Sequence, residues 1–166
     1  MGLPRGFTLI EVLVAAIILS VGLLGVAALQ LNAMRGNQIA HLRTAAIVAA
    51  EDLVDRVLTN REAAAAGYYH TTGSGTTYPP TANADCGTTT GCTPRHMASN
   101  DVHAWQQHLA SILPEGTGSI CVDGNGSNAC DGDTETNPVT HVIRISWTER
   151  GAADDTHAFE FVVRVY

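Results

Sequence analysis

The apolar run from Phe7 to Leu31 constrains this chain more than any other feature, because its only clearly polar side chains are Thr8, Glu11, Ser20 and Gln30. As a helix it extends ~37 Å at ~1.5 Å per residue, enough to span the ~30 Å hydrocarbon core of a bilayer. A carboxylate early in such a run costs about 2.5 to 3.5 kcal/mol on insertion scales. Glu11 is therefore the least expected residue of the segment, and it needs a cationic partner.

The run opens with Gly6-Phe7-Thr8-Leu9-Ile10-Glu11-Val12-Leu13-Val14-Ala15, behind a short leader that contains Arg5. These residues closely resemble the type III signal of type IV pilins and pseudopilins. The resemblance implies cleavage by a prepilin peptidase after Gly6, N-methylation of Phe7, and a Glu11 that meets the amino terminus of a neighbouring subunit. A secretory signal peptide explains the stretch less well: the apolar run exceeds the usual ~7 to 15 residues and encloses Glu11, although Val26-Ala27-Ala28 is a passable cleavage site. A plain membrane anchor accounts for the length but not for Gly6-Phe7 or Glu11.

The chain has 166 residues, so a soluble head outside the first helix is small and gains from covalent staples. Nine arginines and no lysines face sixteen acids, a formal charge of -7, which argues against general affinity for nucleic acid. Four cysteines lie beyond the apolar run, with five residues between Cys86 and Cys92 and eight between Cys121 and Cys130. Four thiols allow three connectivities, of which local pairing is the simplest, each closed loop contributing roughly 2 to 3 kcal/mol in the chain-entropy model. Structural zinc sites usually space cysteines by about two to four residues, so disulfides in an exported, oxidising compartment are the better reading.

Past Leu31 the pattern turns amphipathic. Ile39, Leu42, Ala46, Ala49, Leu53 and Val57 recur at helical steps, Asp52 and Arg56 stand at i, i+4, and no proline interrupts a helix expected from about Phe7 to about Glu62. Residues 63–94 read as an irregular connection held by Cys86 and Cys92. A second helix is expected near 99–113, capped by Ser99, Asn100 or Asp101, anchored by Trp105 and ended by Pro114. A short strand follows from Ser119 to Val122, then a Gly, Asn and Asp-rich loop closed by the second cysteine pair. Strict alternation places Val139, His141, Ile143, Ile145 and Trp147 on one face, and His157, Phe159, Phe161, Val163 and Val165 on another, across a turn at 149–155: an antiparallel hairpin laid on the long helix.

Ala49-Ala50-Glu51-Asp52-Leu53-Val54-Asp55-Arg56, Trp105 with Leu113-Pro114, Gly116, Gly118 and Ile145-Ser146-Trp147 are similar to the PilV type of minor pilin. Catalytic constellations are missing from the sequence. The histidines are scattered and read as solvated; His103 and His108 present no metal-binding pair at helical spacing. Asp123, Asn125 and Ser127 begin like a calcium loop, but Asn128 stands where glycine is needed and Thr134 where glutamate is needed. No metal or other cofactor is expected.

The fold expected is α+β and ladle-shaped, the type IV pilin fold, with a long N-terminal helix packed on a small antiparallel sheet with disulfide-stapled loops. Residues 1–6 form the leader, 7–31 the transmembrane and assembly half of the helix, and 32–166 the periplasmic head with the distal half of the helix. The resemblance implies a non-enzymatic subunit, held in the inner membrane by a single pass and then moved into a pilus, at its tip. Its partners would be other minor pilins, the major pilin, the prepilin peptidase and the inner-membrane assembly platform. The rivals are a pseudopilin of a type II secretion system and, in a different class, a membrane-anchored periplasmic enzyme or binding module.

Overall fold

A computed structural model describes residues 6, 8–75, 77–89, 91–127, 129–135 and 139–149, together with the backbone of 156–165. The chain divides into two compact units, Met1–His41 and Leu42–Tyr166. One helix, α1 (Leu9–Thr59), runs through both.

In the first unit α1 is exposed along its apolar length: Leu9 is 84% accessible, Leu24 71% and Leu29 71%. It is long and apolar enough to cross a membrane. Full burial of a leucine stabilises by about 1.5–3 kcal/mol relative to exposure, so a dozen such side chains in water make an isolated helix untenable. Lipid or neighbouring helices must cover it.

In the second unit the stripe read from periodicity is the core face. Ala46, Ala49, Ala50, Leu53 and Val57 are buried, and Leu42 packs partly against them. The helix stops at Thr59, three residues before the expected end. Asn60 leaves helical geometry (φ -100°, ψ 58°), and α2 (Arg61–Ala65) begins immediately after it. The break is held from outside, because the Asn60 side-chain amide donates to the Pro94 carbonyl at 2.9 Å.

The connection that follows is irregular but not loose. Tyr69 and His70 are buried, and Thr71 exchanges backbone and hydroxyl hydrogen bonds with Ile120. Cys86 and Cys92 are joined by a disulfide. Helix α3 (Pro94–Ile112) starts five residues earlier than expected, capped by Thr93, whose hydroxyl accepts from the His96 N–H, with Pro94 in the first turn. Proline suits that position because its missing N–H would have no helical partner there. Ser99 and Asn100 serve instead to tie down the preceding loop.

The sheet has three antiparallel strands in the order β1 (Thr117–Val122), β2 (Val139–Thr148), β3 (Thr156–Val165). Register pairs Ile120 with Ile143 and Cys121 with Val142, and on the other side Ile143 with Phe161 and Ile145 with Phe159. The expected inward face of β2 is buried throughout: Val139, His141, Ile143, Ile145 and Trp147. The core reading for Phe159 and Phe161 concerns side chains outside the described residues. On the opposite face the Cys121–Cys130 disulfide covers Val142 as a second, smaller cluster. The result is the α+β pilin fold, a long helix with a small antiparallel sheet and two stapled loops.

Candidate assembly surface

The N-terminal end of α1 is built by Thr8, whose carbonyl accepts from the backbone N–H groups of Glu11 (3.1 Å) and Val12 (3.3 Å). Glu11 therefore lies in the first helical turn and is exposed. A carboxylate there interacts favourably with the helix dipole, typically by ~0.3–1 kcal/mol, which offsets only part of its insertion cost. Among the described residues no cation pairs with it. Gly6 is exposed, and a side chain added there would meet nothing within 4 Å. Phe7 lies outside the described residues.

The head carries polar groups that the sequence reading placed elsewhere. Asp101, expected as a cap, is a buried junction: the Tyr69 hydroxyl donates to it at 2.9 Å and Arg56 reaches it at 3.4 Å. Burial, then the Asp101 charge, push the Tyr69 phenol well above its usual range. Arg56 also bonds Asp52 at 3.0 Å, the i, i+4 pair expected from spacing. Asp52, Arg56 and Asp101 line a groove of about 530 Å³ between the end of α1 and the start of α3.

Two histidines are buried rather than solvated. His70 accepts from the Val122 N–H at Nδ1 (2.9 Å), while its Nε2 meets the Ser74 carbonyl at 2.7 Å, an arrangement that places a proton on Nε2. His141 occupies the inward face of β2 with its ring edge-on to Tyr69. Among the described residues neither of its ring nitrogens has a hydrogen-bond partner of good geometry. Burial lowers its pKa to about 4. Its inward position was legible from the alternation, whereas burial of His70 follows from a connection with no period. His103 does sit at the surface, where it bonds Gln107 at 3.0 Å.

Glu149, expected in the turn at 149–155, is buried, accepts from the Trp147 indole at 3.2 Å and lies 3.7 Å from Arg43. The acidic loop is a set of Asx turns. Asp131 accepts from the backbone of Gly124 and Asp133, contacts that hold its pKa below the usual carboxylate range. Among the described residues no three His, Cys, Asp or Glu side chains cluster closely enough to hold a metal ion.

Among the described residues the apolar first half of α1 is a large surface without an intrachain role. Residues 3–27 match the model of the prokaryotic N-terminal methylation motif, and residues 28–103 match that of type IV pilin Tt1218. The chain belongs to the type IV pilin superfamily. The two matches adjoin, covering the signal, all of α1 and the head as far as the first half of α3. No curated protein and no solved structure matches the chain. Membership points to a structural protein with pilus-related partners, and the methylation motif together with the apolar helix fits a membrane-anchored pilin that is later assembled into a pilus.

Proposed function

We propose that this pilin is a minor subunit of the PilV type, which joins other minor pilins and the major pilin in a complex that primes assembly at the pilus tip. Motility or surface attachment would follow from assembly. The observation that carries the reading is the exposed apolar surface of α1 with Glu11 in its first turn, a surface suited to helix packing. Removal of residues 1–6 by the prepilin peptidase, with the assembly platform receiving the methylated chain, frees a Phe7 amine that can pair with Glu11 of a neighbour. Residues 7–31 then serve as the membrane and assembly segment and 32–166 as the exported portion.

The minor-pilin part draws on residues that resemble the PilV type and that pack as one body. Trp105 donates to the Ala49 carbonyl, Gly118 lies against the Trp105 ring, and Ile145 and Trp147 fill the same core. The competing reading, a pseudopilin of a type II secretion system, shares the signal and α1. Deletion of the gene separates the two when surface pili and type II secretion are measured in one strain. Lost pili with intact secretion is the expected result; intact pili with lost secretion would transfer the protein to the rival system.

A further inference from the structure

Among the described residues Arg95 has no carboxylate partner, whereas Arg43 and Arg56 are both engaged in ion pairs. Its guanidinium instead lies over the Tyr78 ring, 4.9 Å from the centroid, and 5.9 Å from that of Tyr68. The two rings meet edge to face at 5.2 Å. A cation–π contact of this kind helps hold the guanidinium in place, among the described residues its N–H groups make no hydrogen bond or ion pair, and their fork matches the two oxygens of a carboxylate or phosphate. The chain as a whole carries a formal charge of -7, whereas no acid lines the cavity beside Arg95 among the described residues.

The walls beside Arg95 are also fixed. The Tyr78 N–H donates to the His70 carbonyl at 2.7 Å. Ser99 on α3 accepts from the Thr81 N–H (2.9 Å) and donates to the Pro79 carbonyl (3.1 Å). They enclose a cavity of about 340 Å³ in which Arg95, His96, Tyr78 and Pro79 converge. That volume is at the small end of ligand sites, ~300–1,000 Å³. Among the lining residues Pro79 offers apolar contact to the C–H face of a ring, while His96, Tyr78 and Thr81 are side-chain types able to hydrogen-bond its substituents.

We propose that Arg95, His96 and Tyr78 form a binding site for an anionic sugar, in which the Arg95 fork holds the carboxylate or phosphate. The site belongs to the head and is independent of helix packing. Calorimetric titration of the full chain in detergent with glucuronate, glucose 6-phosphate and glucose tests it. Saturable binding is expected for the two acids, weakening with added salt, and none for glucose. Arg95→Gln should lower affinity at least tenfold, Arg95→Lys less, and Arg35→Gln on α1 not at all, with near-ultraviolet circular dichroism reporting the fold of each. A polyglucuronate that binds more tightly than the monomer points to a surface polymer as the source, and equal affinity per residue to a free sugar. No saturable binding of either acid, or undiminished affinity in both Arg95 variants, overturns the site.

Discussion

The Trp105 indole N–H donates to the main-chain carbonyl of Ala49 at 2.7 Å, across the packed face between α3 and α1. That carbonyl belongs to the interior of a helix, so the contact ties the second helix to the first at one defined height. The small side chains of Ala46, Ala49 and Ala50 permit the approach, and Gly118 completes it, because a Cβ there would fall on the Trp105 ring and on Leu109.

Truncation of this indole should be among the most damaging changes to the head. Trp105→Ala is expected to cost about 3 to 5 kcal/mol, while Trp105→Phe fills most of the space and loses chiefly a hydrogen bond. Gly118→Ala is expected to cost about 1 to 3 kcal/mol through overpacking. Denaturant unfolding of the full chain in detergent checks the order Trp105→Ala worst. An unchanged midpoint for Trp105→Ala would contradict the packing.

Acid should destabilise the head, and His141 should dominate the effect. An unfolded histidine has a pKa of about 6.5, whereas burial lowers that of His141 to about 4. The unfolded state thus binds the extra proton between those values, so stability is complete above about pH 6.5 and falls by about 3 kcal/mol as pH drops towards 4. Asp131, held below its usual range by backbone N–H groups, adds a loss at still lower pH. Thermal melts from pH 7.5 to 4.5 should show the decline, and His141→Leu should flatten it; an unaltered slope in the variant would count against His141.

Much of this architecture was legible in the sequence, and the exceptions share a cause. The α1 core stripe and the inward face of β2 follow from period, since a half-buried helix or strand must repeat its apolar residues. Asn60, Asp101 and Glu149 were misplaced because each is decided by a partner distant in sequence: Pro94, Tyr69 and Arg43 respectively. The start of α3 was missed differently. Thr93-Pro94 is a strong local start signal, but the polar turn at 95–96 carries no apolar period to announce a helix.

The two disulfides should differ in accessibility. Cys121 and Cys130 are buried with Val142, while Cys86 and Cys92 are only half-buried. Graded reduction followed by alkylation and peptide mass spectrometry is expected to open Cys86–Cys92 first. Opening of Cys121–Cys130 first, or recovery of a crossed pair, would contradict the assignment.

Glu11→Ala should impair assembly without impairing insertion. A Phe7 amine freed by the proposed cleavage would carry the reference pKa of an α-amino group, about 7.7 to 8.0, and so would be substantially cationic at neutral pH. An opposite pair ~4 Å apart gains ~4 kcal/mol at an effective dielectric of about 20, little more than the insertion cost of the carboxylate. On the proposed pairing Glu11 would act through register, since a helix docked one turn away would leave both charges unpaired. Cross-linking to other minor pilins in membranes should drop in the variant while leader cleavage continues; normal cross-linking and normal pilus number would make Glu11 dispensable.

The central claim, that this chain is processed and built into a pilus as a minor subunit, is tested most directly by the N-terminal mass of the chain recovered from sheared, purified pili. The account predicts a low-abundance species that begins at N-methylated Phe7, with residues 1–6 removed. A chain that retains Met1, one that begins at Leu29, or one confined to the membrane fraction while pili are abundant would contradict it.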